Sequence, residues 1–175
     1  MKKLKYVFYG LGLLLLATNC TKKDPLPNTT QQGLNTFGCK IDGVAWIPTG
    51  TSGPGGTKPT RASLQQDGSF GLFAGSPEYL LDLVIPGIGR TNKGEYTLNN
   101  LEGYGYLYDK KNYGYLNDKK VEFSYLTDRF NIGKVTILFA DTTRRIISGT
   151  FYFKAKDRNS DKVIDITDGR FDLKY

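Results

Sequence analysis

"FGCKIDGVAWIP", residues Phe37 to Pro48, decides the fold. Asp42-Gly43 is a two-residue pair of the kind that turns a hairpin, because both positions accept positive φ and the turn then matches the twist of the strands it joins. That turn pairs Ile41 with Val44 and Cys39 with Trp46. Phe37, Cys39, Ile41, Val44 and Trp46 then share one face, predicted as core, and Lys40 and Ala45 take the other.

The same period of two recurs down the chain. "YLLDLVIPG" puts Tyr79, Leu81, Leu83 and Ile85 on one face with Asp82 opposite, and Pro86-Gly87 ends the run. "VEFSYL" alternates Val121, Phe123 and Tyr125; "KVTILFAD" points Val135, Ile137 and Phe139 inward; "RIISGTFYFKAKD" does so with Ile147, Phe151 and Phe153. Between Ile166 and Phe171 the alternation changes parity, which one extra residue at Asp168-Gly169 explains, as in a β-bulge with the glycine left-handed. Turn clusters such as "TGTSGPGGTKP" (Thr49 to Pro59) and "QDGS" separate the runs, and no long helical pattern appears. The reading is all-β: one antiparallel β-sandwich or partly open barrel of roughly ten strands, dominated by hairpin neighbours. Periodicity does not choose between sandwich and barrel.

The chain starts "MKKLKYVFYGLGLLLLATNC", with Lys2, Lys3 and Lys5 before an apolar run from Tyr6 to Ala17. That run is short of the roughly 20 residues needed to span a bilayer and suits a signal-peptide core. "LATNC" resembles the lipobox of bacterial lipoproteins, with Asn19 where Gly, Ala or Ser is usual, and makes Cys20 the acylated residue. Residues 1–19 are then a cleaved signal, residues 20–36 a lipidated cysteine and polar flexible tether, and residues 37–175 the β domain. Cleavage leaves 156 of 175 residues, enough for one full core. It also removes three lysines, so a formal charge of +7 becomes +4. The remaining charge is scattered in pairs such as Lys110-Lys111 and Arg144-Arg145, not gathered into a nucleic-acid stripe. Cys39, the second of two cysteines, reads as a small buried hydrophobe.

"GYGYLYDKKNYGYL" (Gly103 to Leu116) holds five of the twelve tyrosines. With a turn at Asp109 to Asn112, Tyr104, Tyr106, Tyr108, Tyr113 and Tyr115 stand on one side of a ribbon, and Leu107, Gly114, Gly105 and Leu116 on the other. Two readings are open: a Leu/Gly side on the core with the rings at the surface, or a ring platform on which a sugar stacks.

The chain has no histidine, which removes the commonest general base and metal ligand and any Ser-His-Asp or Cys-His site. No cofactor is expected. Paired carboxylates are the remaining catalytic option, and the sequence marks no pair by an apolar setting. "DRNSDKVIDITD" places Asp157, Asn159, Asp161, Asp165 and Asp168 at the liganding positions of a calcium loop, but Lys162 stands where the loop needs glycine and no helices flank it. A plain hairpin turn explains the same residues.

"NTFGCKIDGVAWIP", "SGTFYFKAKD" and "ITDGRFDLKY" resemble a domain-of-unknown-function family of Gram-negative envelope lipoproteins, over about Asn35 to Tyr175. The resemblance implies an exported, lipid-anchored β domain and no catalytic residues. The expected protein is a non-catalytic binding or interaction module of the cell envelope, at the outer membrane and facing the periplasm or the exterior. Its partners are the membrane, through acyl chains on Cys20, and a glycan or an envelope protein, with no nucleic acid. A glycan-processing enzyme using carboxylates and a purely structural envelope component are the alternatives.

Overall fold

The computed structural model describes residues 24–53, 55–56, 58–66, 68–85, 93–99 and 113–175. The opening hairpin forms in the expected register: β1 (Thr36–Ile41) and β2 (Val44–Trp46) pair Cys39 with Trp46 and Ile41 with Val44. Asp42 and Gly43 take φ of 48° and 80°, the left-handed pair the short turn requires. Val44 departs from expectation. It is 71% exposed, because β2 is an edge strand of three residues and its first residue lies at the hairpin tip, beyond the core.

The other strands are β3 (Thr60–Leu64), β4 (Phe70–Gly75), β5 (Tyr79–Ile85), β6 (Gly94–Leu98), β7 (Tyr113–Asp118), β8 (Phe123–Leu126), β9 (Gly133–Asp141), β10 (Ile146–Asp157) and β11 (Val163–Lys174). All pairings are antiparallel, and no helix occurs among the described residues. The order β2-β1-β11-β10-β8-β7-β5-β4-β3 curls strongly into an open half-barrel, with β3 returning close to β11 without pairing to it. Of the two expected architectures, the partly open barrel is the one adopted.

The curl has two physical sources. First, β10 shares one edge between two partners: residues 146–153 pair with β9, and Lys156 and Asp157 pair with β8, so the sheet forks and β9 carries β6 away on a side branch. Second, three core phenylalanines each sit opposite a glycine: Phe151 opposite Gly169, Phe171 opposite Gly149, Phe153 opposite Gly133. A Cβ on Gly169 would lie 2.6 Å from the Phe151 ring, so the ring folds over bare backbone and the concave face can close up. Phe37, Phe70, Leu72, Leu81, Leu83 and Ile166, each exposed to 2% or less, complete the core.

The parity change near the C-terminus is a bulge that shifts the register of β11 against both β1 and β10. Its left-handed residue is Asp168, at φ 52°, and not Gly169 as expected; Gly169 is there for the approach of Phe151. A second irregularity, between Ser148 and Gly149 of β10, skips Leu138 of β9 and turns Phe139 away from the core. Phe139 lies half-buried with Lys93 and Arg144 over its ring at 5.7 and 5.2 Å, where the alternation had put it inside. Val121 is likewise outside its predicted strand: Glu122 takes φ 58° in the turn before β8, and Val121 is 50% exposed.

The segment expected as a tether is described from Asp24 onward. Residues 24–35 run over the outer face of the sheet along β11, from Arg170 to Lys174. Arg170 pairs with Asp24 at 2.6 Å and donates to the Pro27 carbonyl at 3.1 Å, and Leu26 and Pro27 pack on Gly38. Farther on, the buried Asp172 carboxylate accepts from the Thr30 hydroxyl at 2.5 Å and from the N–H groups of Gln32, Gly33 and Leu34 at 3.0, 2.7 and 3.3 Å. Burial alone would raise this acid, but those donors hold it below the ordinary carboxylate range. A polar composition marks exposed side chains, not a free backbone, and here the backbone is bound.

Candidate functional site

One end of the half-barrel gathers groups from five strands and turns into a mouth of about 360 Å³. The hairpin tip supplies Asp42, the β4–β5 turn Glu78, β5 Tyr79, β7 Asp118 and β8 Tyr125, over a floor that includes Trp46 and Ile164. Register explains the convergence: Tyr79 pairs with Asp118 and Leu116 with Tyr125, so both phenols and the Asp118 carboxylate project from the concave side at adjacent positions. Trp46 is fixed edge-on to Tyr79 at 5.9 Å, and its indole N–H donates to the Ser76 hydroxyl at 3.2 Å.

Both carboxylates are oriented by backbone. Asp42 accepts from the Asp165 N–H at 2.9 Å, and Asp118 from the Lys120 N–H at 3.0 Å. Burial, then Asp118 and other nearby carboxylates, raises both phenols, so each stays protonated and able to donate at neutral pH. Among the described residues neither hydroxyl has a hydrogen-bond partner. Glu78 is held by Lys120 at 2.5 Å at the exposed rim. The set combines aromatic walls with acceptors and donors aimed at one space, the arrangement by which proteins bind molecules rich in hydroxyls.

The sequence-predicted residues fare differently. Tyr104, Tyr106 and Tyr108 lie outside the described residues. Tyr113 and Tyr115 stand on the outer face of β7, and Gly114 and Leu116 turn inward, Leu116 fully buried. Tyr115 is only 3% exposed and lies within hydrogen-bond reach of the Ser124 hydroxyl at 3.4 Å, so its ring has no open face for a sugar. The calcium set does not assemble. The Asp157 carboxylate is taken by Ser124, Asn159 and Ser160, Asp161 by Lys156 and Asp168 by Lys40, while Asp165 and Asp168 are carried off along extended β11. Among the described residues no group of three His, Cys, Asp or Glu side chains is placed to hold a metal. Cys20 precedes the described residues. Cys39 is fully buried, and burial pushes its thiol up to about 12.

Tyr79 was legible as a strand residue, but Asp118 lies beyond the ribbon read to Leu116, and the two meet only because β5 pairs with β7 across the intervening β6. Asp82 was passed over. Opposite Phe73 and Tyr115 on the outer face, it is pushed up to about 6 by burial, against which Arg61 acts only partly. Among the described residues no second carboxylate contributes to that shift. Its folded pKa exceeds its unfolded value, so the charged form is the penalised one and stability falls as pH rises from about 4 to about 6. Asp82→Asn should therefore stabilise the protein by about 2 kcal/mol at pH 7 and leave it unchanged below about pH 4, measured by urea unfolding at both pH values.

No curated protein and no solved structure matches the chain. Residues 56–172 match a family described as a domain of unknown function (DUF6252), from just before β3 to Asp172 in β11. With two thirds of its length inside that match, the chain belongs to the DUF6252 family.

Proposed function

We propose that the chain is an exported, lipid-anchored binding module of a Gram-negative cell envelope, held at the outer membrane by acyl chains on Cys20, that takes a glycan or another hydroxyl-rich ligand at the mouth of its half-barrel. The observation that carries the binding reading is the pair of protonated phenols, Tyr79 and Tyr125, beside the oriented carboxylates of Asp42 and Asp118. A sugar presents vicinal hydroxyls that can donate to the carboxylates and accept from the phenols while its apolar face lies against Trp46 or Tyr79. The reading is non-catalytic: the chain has no histidine, Asp42 and Asp118 are tied to backbone N–H groups, and Glu78 is paired with Lys120.

The anchor reading rests on the basic and apolar start and on "LATNC". Docking of residues 24–35 adds a distance. Cys20 precedes Asp24 by four residues, a reach of at most about 14 Å, so the acyl chains would hold the domain close against the bilayer. Two chains suffice for stable anchoring where one is marginal.

The test uses the full chain expressed in a Gram-negative host. Palmitate should label the wild type and not Cys20→Ala. On a glycan array, the double variant Tyr79→Phe, Tyr125→Phe should lose binding about tenfold for each hydroxyl removed, with its unfolding midpoint unchanged. Equal binding by the variant, or none by the parent, removes the mouth as a glycan site.

A further inference from the structure

At the seam of the half-barrel a groove of about 860 Å³ runs between β3 and the end of β11. Three cations line it, Lys58, Arg61 and Lys174, with Phe73 and Tyr175 between them and no Asp or Glu side chain. Arg61 lies over the Phe73 ring at 5.6 Å and Arg145 over the Tyr175 ring at 5.8 Å, so guanidinium groups flank both aromatics. None of the three lining cations is in an ion pair with a described residue.

The second observation is backbone. β3 pairs with β4 only, and two bonds fix which of its groups are used: Gly75 N–H to the Pro59 carbonyl at 2.9 Å and Gln65 N–H to the Ser69 carbonyl at 2.8 Å. In an antiparallel ladder hydrogen-bonded pairs alternate with non-bonded ones. Residues 59, 61, 63 and 65 therefore bond to β4, and the N–H and C=O groups of Thr60, Ala62 and Leu64 point outward along the groove.

We propose that this edge is a docking site for an extended acidic segment of another protein, which adds a strand beside β3 and sets its carboxylates among Lys58, Arg61 and Lys174. The ladder would use the free groups of Thr60, Ala62 and Leu64, the mode by which sheet edges recognise peptides. A second copy of this chain is a poor occupant: two β3 edges side by side would bring Arg61 and Lys58 against their own kind, a charge placement that discourages self-pairing. The proposal stands independently of the glycan reading, with which it shares no lining residue.

The probe is an acetylated peptide alternating glutamate and threonine, with a lysine–threonine peptide as its counterpart, titrated against the full chain. The acidic peptide should bind, weaken with added salt, and slow hydrogen exchange at the amides of Thr60, Ala62 and Leu64. Arg61→Glu should weaken it about tenfold or more through like-charge repulsion. Methylation of alternate peptide amides, which removes strand donors without altering this protein, should abolish binding. Equal binding of the two peptides, or no protection at those three amides, overturns the proposal. So does polygalacturonate displacing the peptide while a methylated peptide binds as well as the parent, which would make the groove a surface for anionic glycans.

Discussion

Asp172→Asn should release residues 24–35 from the sheet and cost about 3 kcal/mol of unfolding free energy. The carboxylate accepts from one hydroxyl and three backbone N–H groups, and the residue is 1% exposed. An asparagine in its place keeps one acceptor and turns an NH₂ toward donors, so at least one buried N–H loses its partner. Native-state hydrogen exchange should show Gln32, Gly33 and Leu34 exchanging freely in the variant while core amides of β10 stay slow. The wild type should reproduce this in acid. Its folded pKa lies below the unfolded value near 3.9, so the contribution is complete above about pH 5 and fades as pH falls through the depressed folded value. Exchange at Gln32 to Leu34 that is already fast in the wild type at pH 7 would show that the segment is not held.

Gly133→Ala should cost about 3 kcal/mol or more, for a different reason. Gly133 opens β9 where the sheet forks, directly opposite Phe153. A methyl there would overlap Cβ of Phe153 and the carbonyl oxygen of Tyr152 and come 2.6 Å from Cα of Phe153. Backbone cannot swing aside as a side chain can, so β9 must lift off β10 and carry β6 with it. Gly43→Asn is the control. Its Cβ would meet nothing within 4 Å, and asparagine tolerates the left-handed φ of 80°, so the cost should be about 1 kcal/mol or less. Similar urea midpoints for the two variants would mean that the fork tolerates separation.

What the sequence disclosed was local. The Asp42-Gly43 turn fixes its own register, so Cys39 opposite Trp46 could be derived before any fold was known. The parity change around Asp168 was visible because strong apolar markers, Ile166 and Phe171, lie on either side. Phe139 was misplaced because the irregularity at Leu138 depends on what β10 does, and nothing in "KVTILFAD" records it. The choice of barrel over sandwich depends on β10 dividing its edge between β8 and β9, which joins residues far apart in the chain. The mouth was hidden likewise: Asp42, Tyr79, Asp118 and Tyr125 meet only through pairings that skip whole strands. Asp172 follows the inward-facing Phe171 on β11, but its partners lie 138 to 142 positions away.

The pairing of β1 with β11 imposes an order of events on biogenesis. A polypeptide delivered amino end first presents Thr36 to Ile41 long before Ile166 to Asp172 exist to receive them, and the stretch docked on Asp172 waits equally long. Productive folding therefore begins in the later hairpins and finishes at the oldest part of the chain, a slow, nonlocal closure. Until then the first strand is an unclaimed edge, and a chaperone that shields it has its task defined by this topology.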